Sequence, residues 1–224
     1  MDQKPRSREE FKNNYELLIT NHENMISKPK FKICRRLGPG VYDKCQTAKF
    51  SSSTAKTLPG GKRPKAPTEY GMQLIEKQKI RFSYGISERQ LSNYVKKVSG
   101  VKGAGTAEKL YEGLESRLDN VIYRMGLGAS RRATRQMVSH GHFVVNNHRV
   151  TIPSYEIKIG DVVKIREGSK VKKIFENLTD RLKDYNAPSW VTFDLNNMEG
   201  RILAKPKNIE TFLNINAVLE FYSR

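Results

Sequence analysis

Residues 116–150 carry the pattern of two short helices followed by a hairpin, and this order limits the fold more than any other stretch of the chain. Leu118, Val121, Ile122 and Met125 have the i, i+3, i+4, i+7 spacing of one amphipathic helix. The glycines that follow predict the end of that helix. We therefore expect the first helix to bury one face against the elements that come next.

Ser130 is the predicted N-cap of the second helix, because its hydroxyl can accept a hydrogen bond from the first turn. At about 100° per residue, Arg131, Arg132 and Arg135 lie on one face of that helix. Residues 129–141 contain no acidic residue, whereas a solvated helix face usually alternates the sign of its charges. The three guanidinium groups are therefore expected to face an anionic ligand together.

A hairpin is predicted directly after the second helix. Phe143–Val145 predict a strand, and Asn146 with Asn147 tolerate the left-handed backbone of a tight turn back through Arg149. Residues 161–166 predict a further strand. Two helices followed by strands indicate an α+β fold.

The basic charge of the chain lies in its first three quarters. The sequence holds 41 Lys and Arg against 23 Asp and Glu, a net charge of +18. Residues 176–224 contain six basic and seven acidic residues, so the whole excess lies in residues 1–175. A polyanion would relieve self-repulsion on this scale, and nucleic acid is favoured over an anionic membrane.

Neither a membrane span nor a signal peptide is predicted. No apolar run approaches the ~18 residues of a membrane span. The N-terminal stretch MDQKPRSREEFKNN lacks the apolar core of a signal peptide.

No metal and no other cofactor is predicted. Cys34 and Cys45 are the only cysteines, too few for a cysteine zinc site and too sparse for a disulfide framework, so two free thiols are expected. His140, His142 and His148 lack a nearby cysteine or paired carboxylates that would complete a metal site. No phosphate-loop glycine pattern and no Ser/His/Asp constellation is visible.

Helical, loop and strand patterns account for the rest of the chain. Residues 8–26 predict a short helix, and residues 51–67 predict a basic loop that becomes ordered on RNA or acts as a passive linker. Ser87 with Gln90 forms a capping-box pattern, and Thr106 can cap another helix. The segment KVKKIFENLTDRLKDY is helical in pattern, WVTFDL predicts a strand, and an apolar INAVLEFY lies near the C-terminus.

Three blocks resemble the family of small-subunit ribosomal protein S-four, in the order in which that family has them. The central block is SRLDNVIYRMGLGASRRATRQMVSHGHFVVNNHRVTIPSYEIKIGDVVKIRE, which is similar to the family's RNA-binding module. The flanking blocks are YGMQLIEKQKIRFSYGISERQLSNYVKK and INAVLEFYSR. The resemblance covers roughly residues 28–224.

The resemblance implies an α+β fold, in which a mainly helical first domain holds an inserted helix-helix-strand RNA-binding module. Residues 1–27 would be an N-terminal extension, and residues 28–111 a helical rRNA-binding domain with its basic loop. Residues 112–189 would form the module, and residues 190–224 would complete the first domain by packing back on it.

The function that the resemblance implies is that of a structural constituent of the small ribosomal subunit. Such a protein is a primary rRNA-binding protein that nucleates subunit assembly. It also contacts ribosomal protein S-five near the messenger RNA entry path, where messenger RNA is a further candidate partner, and it contributes to decoding fidelity. The implied location is the cytoplasmic ribosome or, alternatively, an organellar one, without membrane contact.

Three departures from the family pattern limit what is carried over. Some relatives hold zinc with four N-terminal cysteines, and this chain has two, so no metal is implied. The LPGGK stretch lacks the histidine of the family's Pro-Gly-x-His-Gly element, and Asn147 replaces the usual turn glycine.

The predicted RNA contacts follow from how folded RNA presents itself. Double-helical RNA is recognised mainly through phosphates and 2′-hydroxyls, which arginine can bind with two donors at once, and tyrosines can stack on exposed bases. In the module, the candidates are Arg117, Arg124, Ser130, Arg131, Arg132, Arg135, Gln136, His140, His142, Asn146, His148 and Arg149. In the first domain, they are Lys62, Arg63, Lys65, Tyr70, Lys77, Lys79, Arg81, Tyr84 and Arg89.

Two other functions compete with this interpretation. Pseudouridine synthases can carry a similar module and place their catalytic aspartate in an Arg-Leu-Asp motif, which occurs here as Arg117-Leu118-Asp119. Here Ile122 and Met125 continue a helix after the motif, and Asp119 near the helix start is better explained by the helix dipole. A small stress or recycling RNA-binding protein would share only the module, without the matched flanks.

Overall fold

The computed structural model describes residues 29–55, 66–100, 105–176, 178–183, 185–207 and 212–224, without the side chains of residues 52–55. The helix predicted over residues 8–26 and three candidate RNA contacts, Lys62, Arg63 and Lys65, lie outside these ranges. Within them, helices and one antiparallel sheet form the predicted α+β structure. No helix in these ranges is both long enough and apolar enough to cross a membrane.

The first part of the chain folds into what we call the helical unit. Its longest helix begins after Thr68, whose hydroxyl accepts a hydrogen bond from the Gly71 amide, and ends at Gly85 in the left-handed conformation (φ 61°). The unit contains α1 (Lys30–Leu37), α2 (Ala48–Ala55), α3 (Glu69–Tyr84), α4 (Glu88–Ser99) and α5 (Thr106–Glu115). Two 3-10 turns, Pro39–Val41 and Asp43–Gln46, connect α1 to α2.

The helix starts test the predicted caps. The Ser87 hydroxyl accepts from the Gln90 amide and the Gln90 side chain accepts from the Ser87 amide, so the capping box is confirmed. The predicted cap at Thr106 is wrong, because Thr106 is already the first residue of α5 and Gly105 precedes it at φ 87°. Glycine adopts this conformation without steric cost, so the chain turns into the helix one residue earlier.

The second part of the chain begins with the helices and hairpin predicted for what we call the module. The Ser130 hydroxyl accepts from the Ala133 amide (3.3 Å), which confirms the predicted cap. Asn146 (φ 47°) and Asn147 (φ 67°) make the predicted left-handed turn. The elements are α6 (Leu118–Arg124), α7 (Arg131–Ser139), β1 (Phe143–Val145), β2 (His148–Arg149) and β3 (Val162–Ile165).

The sheet of the module is completed by a hairpin from later in the chain. Strands β4 (Val191–Asp194) and β5 (Glu199–Ile202) pair with each other, and β5 pairs with β3, giving the antiparallel order β2-β1-β3-β5-β4. The WVTFDL strand is thus confirmed. This hairpin differs from the predicted division, which placed residues 190–224 with the helical domain, because β3 offers an open edge whose backbone groups β5 satisfies.

The segment between the sheet strands is less regular than predicted. Instead of one helix it forms α8 (Glu167–Lys170), a 3-10 turn (Lys173–Phe175) and α9 (Leu178–Lys183). Ser169 and Leu178 are both buried against the module. The Ser169 hydroxyl lies 3.0 Å from His142 Nδ1, and Leu178 packs in the module core, so the module holds the segment at both places.

Two separate apolar cores support the two parts of the molecule. The module core includes Phe143 and Trp190, and the core of the helical unit includes Leu91 and Leu114. The last helix, α10 (Ile215–Ser223), buries Ile215 and Val218 in the helical unit, as the apolar INAVLEFY stretch predicts.

A third, small core brings the two cysteines together. Cys34 on α1 and Cys45 in the following 3-10 turn are both buried and form a disulfide, with their Cα atoms 6.4 Å apart. The expectation of two free thiols is therefore wrong. The turns after α1 fold the chain back on itself, and this reversal places the two sulfur atoms side by side.

Candidate nucleic-acid interface

A buried carboxylate lies where the helical unit meets the module. Glu115, the last residue of α5, has a fully buried side chain. It accepts hydrogen bonds from Tyr84 Oη (2.6 Å), Asn120 Nδ2 (2.9 Å) and both Nε and Nη2 of Arg124 (2.8 and 2.9 Å). Arg131 lies 3.9 Å away. One anion therefore holds a tyrosine of the helical unit together with three side chains of the module.

A second buried carboxylate lies beside the first. Asp119, on α6, accepts from Nε and Nη2 of Arg117 (3.0 and 2.8 Å) and from Nε and Nη2 of Arg135 (2.9 and 2.8 Å). Arg135 Nη1 also donates to the Gly85 carbonyl, and Arg117 Nη1 donates to Tyr94 Oη (3.1 Å). Both arginines thus reach from Asp119 to the helical unit.

Arg131 is held by aromatic rings as well as by polar atoms. Its Nε donates to Asn120 Oδ1 (2.6 Å), and its guanidinium carbon lies 4.8 Å from the Tyr84 ring centre and 4.5 Å from that of Tyr123. Both distances suit cation–π attraction. We call the two buried carboxylates and the groups bound to them the junction network. Its side chains are Tyr84, Tyr94, Glu115, Arg117, Asp119, Asn120, Arg124, Arg131 and Arg135.

The junction network corrects the expectation that three arginines of α7 face outward together. Only Arg132 is exposed, whereas the side chains of Arg131 and Arg135 are 13% and 23% exposed and are paired with Glu115 and Asp119. The absence of acidic residues from residues 129–141 did not mean that the arginines lacked acidic partners. Their partners lie on α5 and α6, which the fold places against α7.

Burial and charge shift the pKa values of Tyr84 and Glu115 in the network. Burial raises the pKa of Tyr84, and the negative charge of Glu115 raises it further. Burial alone would raise the pKa of Glu115, but the hydrogen bonds and charge of Arg124, with the charge of Arg131, outweigh it and lower that pKa. At neutral pH the carboxylate is therefore ionised and the phenol is a hydrogen-bond donor.

We predict that Glu115 makes the protein sensitive to acid. Because its pKa is lower in the folded than in the unfolded protein, its stabilising contribution is complete above the unfolded value of about 4.3 and is lost as the pH falls through the folded value. Urea unfolding followed from neutral pH to about pH 3 should show a steeper loss of stability in the wild type than in Glu115→Gln. Glu167→Gln is the control, because it removes an 86% exposed carboxylate that pairs only with Lys170 on its own helix. Equal acid sensitivity in wild type and Glu115→Gln would contradict the prediction.

A cleft lies between the helical unit and the start of α7. Its volume is about 190 Å³, and its walls include apolar side chains such as Ile33, Val41 and Phe82. We call it the basic cleft because five cationic side chains line it. One is Arg131 of the junction network, and the other four are Lys30, Lys44, Arg81 and Arg132.

The aromatic and acidic groups of the basic cleft are close to its cations. Lys30 Nζ lies 5.5 Å from the Tyr42 ring centre. Burial raises the pKa of Tyr42, and the positive charge of Arg132 partly opposes that shift. Asp43, an acid in the cleft lining, accepts a hydrogen bond from Tyr123 Oη (2.6 Å). The cleft therefore combines apolar and aromatic walls with an excess of positive charge.

The predicted contacts divide by exposure. The exposed ones are Tyr70, Arg89, Arg132, Gln136, His140, Asn146, His148 and Arg149. The partly exposed ones are Lys79, Arg81, Arg124, Ser130, Arg131 and Arg135. The buried ones are Lys77, Tyr84, Arg117 and His142.

The buried candidates have internal partners. Lys77 Nζ binds Glu88 Oε1 at 2.8 Å and lies 4.3 Å from the Phe221 ring centre, so it attaches α10 to the helical unit. His142 Nδ1 is 3.0 Å from the hydroxyl of buried Ser169. Burial, followed by the charge of Lys172, lowers the pKa of His142. Neither side chain is available to stack on or pair with RNA, and the same holds for buried Tyr84 and Arg117.

Several partly or fully exposed candidates also make contacts within the protein. Asn146 Nδ2 donates to Asp161 (2.8 Å), and Asn146 Oδ1 accepts from the Val162 amide (3.0 Å), so its side chain ties the hairpin turn to β3. Lys79 binds Glu76 at 2.6 Å. The Tyr70 ring lies 5.5 Å from that of Phe221, although much of it remains exposed.

Some groups of the interface were not among the predicted contacts. Lys30, Tyr42, Lys44 and Tyr123 line the basic cleft. Glu115 binds Tyr84, Asn120 and Arg124 of the junction network. The basic stretch KPKFKICRR was the available signal for Lys30. Its place opposite α7 depends on long-range packing that periodicity does not reveal.

The histidines do not form a metal centre in the part of the chain that the structure covers. The rings of His140 and His142 are 5.9 Å apart. Among the described residues, no three His, Cys, Asp or Glu side chains are grouped so as to hold a metal ion.

Two sequence profiles match adjacent parts of the chain. The profile described as "Ribosomal protein S4/S9 N-terminal domain" matches residues 26–115, and the profile described as "S4 domain" matches residues 116–163. The two matches meet directly after Glu115, at the junction network.

Relatives named as small ribosomal subunit proteins match most of the chain. The small ribosomal subunit protein uS4 of Syntrophomonas wolfei is 40% identical over 200 residues, which are 85% of this chain and 95% of the relative. The protein of the same name from Acetivibrio thermocellus is 42% identical, with 86% and 96% covered. That of Thermotoga petrophila is 40% identical, with 88% and 97% covered.

These matches decide between the competing interpretations. The relatives are ribosomal proteins, which are structural proteins and not enzymes, and Asp119 is held in buried ion pairs rather than open to a uridine. If the chain shared only the module with these relatives, they would not match most of its length as they do. The chain therefore belongs to the family of the small ribosomal subunit protein uS4.

Proposed function

We propose that the chain binds small-subunit rRNA through the basic cleft and the exposed polar side chains that continue from it along α7 and the first hairpin. The observation that carries the proposal is that four cations outside the junction network meet in one cleft, although they come from α1, the following 3-10 turn, α3 and α7. Arg132, Gln136, His140, His148 and Arg149 extend this surface over the module.

The chemistry of the cleft suits RNA better than it suits a small anion. Lysine and arginine side chains at the rim can bind phosphates and release condensed counterions. Apolar and tyrosine walls can accept the face of an unstacked base, and such bases are frequent in RNA loops and junctions. A site of this kind would recognise folded RNA by shape, with little dependence on base identity.

The proposal is tested by the salt dependence of rRNA binding. Each phosphate that the protein neutralises should steepen the slope of log K against log salt by about 0.7 to 0.9, the values known for single strands and for B-form DNA. Filter binding of the full chain to small-subunit rRNA from about 50 to about 200 mM salt should give a slope steeper than −3 if the cleft cations and their neighbours act together. Binding without this slope, or no binding, would contradict the proposal.

We further propose that the chain is a primary rRNA-binding protein that nucleates assembly of the small ribosomal subunit. Two domains joined by a buried network offer RNA a preorganised surface, which can bind before other proteins arrive. Reconstitution with the chain omitted, or added last, should then delay the binding of later proteins. If the later proteins bound at the same rate whether the chain was added first or last, this role would be contradicted.

The proposed position on the subunit is next to ribosomal protein S-five, near the messenger RNA entry path, with an influence on decoding fidelity. Support comes from the resemblance of the three sequence blocks and from surface charge that the proposed rRNA surface does not use. Exposed Lys96, Lys109 and Lys207 lie outside the residues that line the cleft. Cross-linking of assembled subunits should link the chain to ribosomal protein S-five, and absence of such links would contradict the placement.

A further inference from the structure

We propose that Glu115 and Asp119 are positioning residues, which fix the module against the helical unit so that both walls of the basic cleft meet one RNA together. This inference rests on the proposed function of the cleft. Neither carboxylate reaches the RNA in this proposal. Each acts through arginines that it holds.

The bonds of the junction network cross between the two parts of the molecule. Glu115 belongs to the helical unit and binds Arg124 of the module at 2.8 Å. Asp119 belongs to the module and holds Arg135, whose Nη1 donates to the Gly85 carbonyl of the helical unit. Arg117 makes a similar bridge from Asp119 to Tyr94. A carboxylate of the helical unit therefore binds an arginine of the module, and a carboxylate of the module holds two arginines that donate to the helical unit.

The apolar cores do not fix the orientation of the module against the helical unit. Among the described residues, the buried side chains of the module and those of the helical unit form separate clusters. Two packed surfaces can slide when only apolar contacts join them, whereas bidentate pairs accept one geometry. Buried ion pairs contribute little to stability compared with apolar replacements, but they can specify a single arrangement. The network is therefore suited to orientation.

The cleft depends on this orientation. Lys30, Lys44 and Arg81 come from the helical unit, whereas Arg132 comes from α7 of the module. The neighbours of Arg132 on α7 are anchored, because Arg131 is bound to Asn120 and lies between two tyrosine rings. A rotation of the module would carry Arg132 away from Lys30, Lys44 and Arg81.

The experiment compares Glu115→Gln and Asp119→Asn with the wild type in two measurements. Spin labels are attached through azide-bearing residues placed at Asn93 on α4 and Thr192 on β4, both exposed. Double electron–electron resonance then reports the distance between the helical unit and the module. Filter binding to small-subunit rRNA gives the affinity of the same samples. Glu167→Gln is the control, because the exposed Glu167 pairs only with Lys170 on its own helix.

We expect one narrow distance distribution for the wild type and the control, and a broad one for the two variants. If the competent arrangement falls to about a tenth of the population, the apparent affinity for rRNA should fall about tenfold. Saturating RNA should make the distribution narrow again, which a simple loss of stability would not produce. Arg135→Lys keeps the positive charge but loses the two-donor geometry of the guanidinium group. Its distance distribution should therefore have a width between those of the wild type and Asp119→Asn.

Several outcomes would overturn the inference. Folded variants with a narrow distribution would do so, and so would a broad distribution with unchanged affinity. If Glu115→Gln does not fold, Tyr84→Phe removes a single hydrogen bond from the same carboxylate and should broaden the distribution less. If it leaves the distribution unchanged, the inference fails. Absence of rRNA binding by the wild type would instead refute the proposed function, and the distances would still test the network.

Discussion

Reversing the charges of Arg131 and Arg135 to glutamate is expected to lower the free energy of unfolding by about 3–5 kcal/mol, because buried ion pairs lose a partner and gain repulsion. The new carboxylates would face Glu115 and Asp119, whose side chains are 0% and 3% exposed. Urea denaturation followed by circular dichroism measures the change. The surface interpretation of these arginines predicts a different result, a folded protein that has lost only its RNA affinity.

Arg132→Glu is the matched control for this prediction, since it makes the same change one residue along on the exposed face of α7. A surface substitution of this kind should change the free energy of unfolding by about 0.5 kcal/mol or less. If the double variant unfolded at the same urea concentration as Arg132→Glu, the junction network would not contribute to stability as we describe.

Removing three cations of the basic cleft is expected to weaken rRNA binding roughly 100-fold, at about 1 kcal/mol for each lost contact. The variant is Lys30→Gln, Lys44→Gln and Arg132→Gln together, which takes one or two cations from each wall of the cleft. The slope of log K against log salt should become shallower by about 2 to 3, because fewer counterions are released.

A second triple variant controls for net charge. Lys96→Gln, Lys109→Gln and Lys207→Gln remove the same charge from exposed positions that do not line the cleft. Affinity should then fall only by the general effect of net charge. Equal losses in the two triple variants would mean that the cleft is not the binding site and that rRNA binds through charge spread over the surface.

Local patterns predicted the elements of the module well. The Ser130 cap and the Asn146–Asn147 turn depend on contacts within a few residues, and the structure confirms both. The capping box at Ser87 is local in the same way. Residues that are neighbours in sequence remain neighbours in any fold, so their preferences can be inferred without knowing what lies across from them.

Patterns failed where the partner is distant. Arg131 and Arg135 look like ligands for an external anion when only their own helix is considered, but Glu115 and Asp119 neutralise them. The disulfide likewise required the chain reversal between Cys34 and Cys45.

The amino-acid sequence alone determined the α+β composition, the order of the module's elements and the attraction to a polyanion. Periodicity and caps depend only on residues that are close in sequence, and net charge is a sum over the whole chain. Only the tertiary structure decided which cations remain exposed. Whether an arginine faces solvent or a buried carboxylate depends on long-range packing. Here α5, α6 and α7 meet so that Glu115 and Asp119 pair with Arg131 and Arg135. The same packing brings Lys30 and Arg132, about a hundred residues apart, to one cleft.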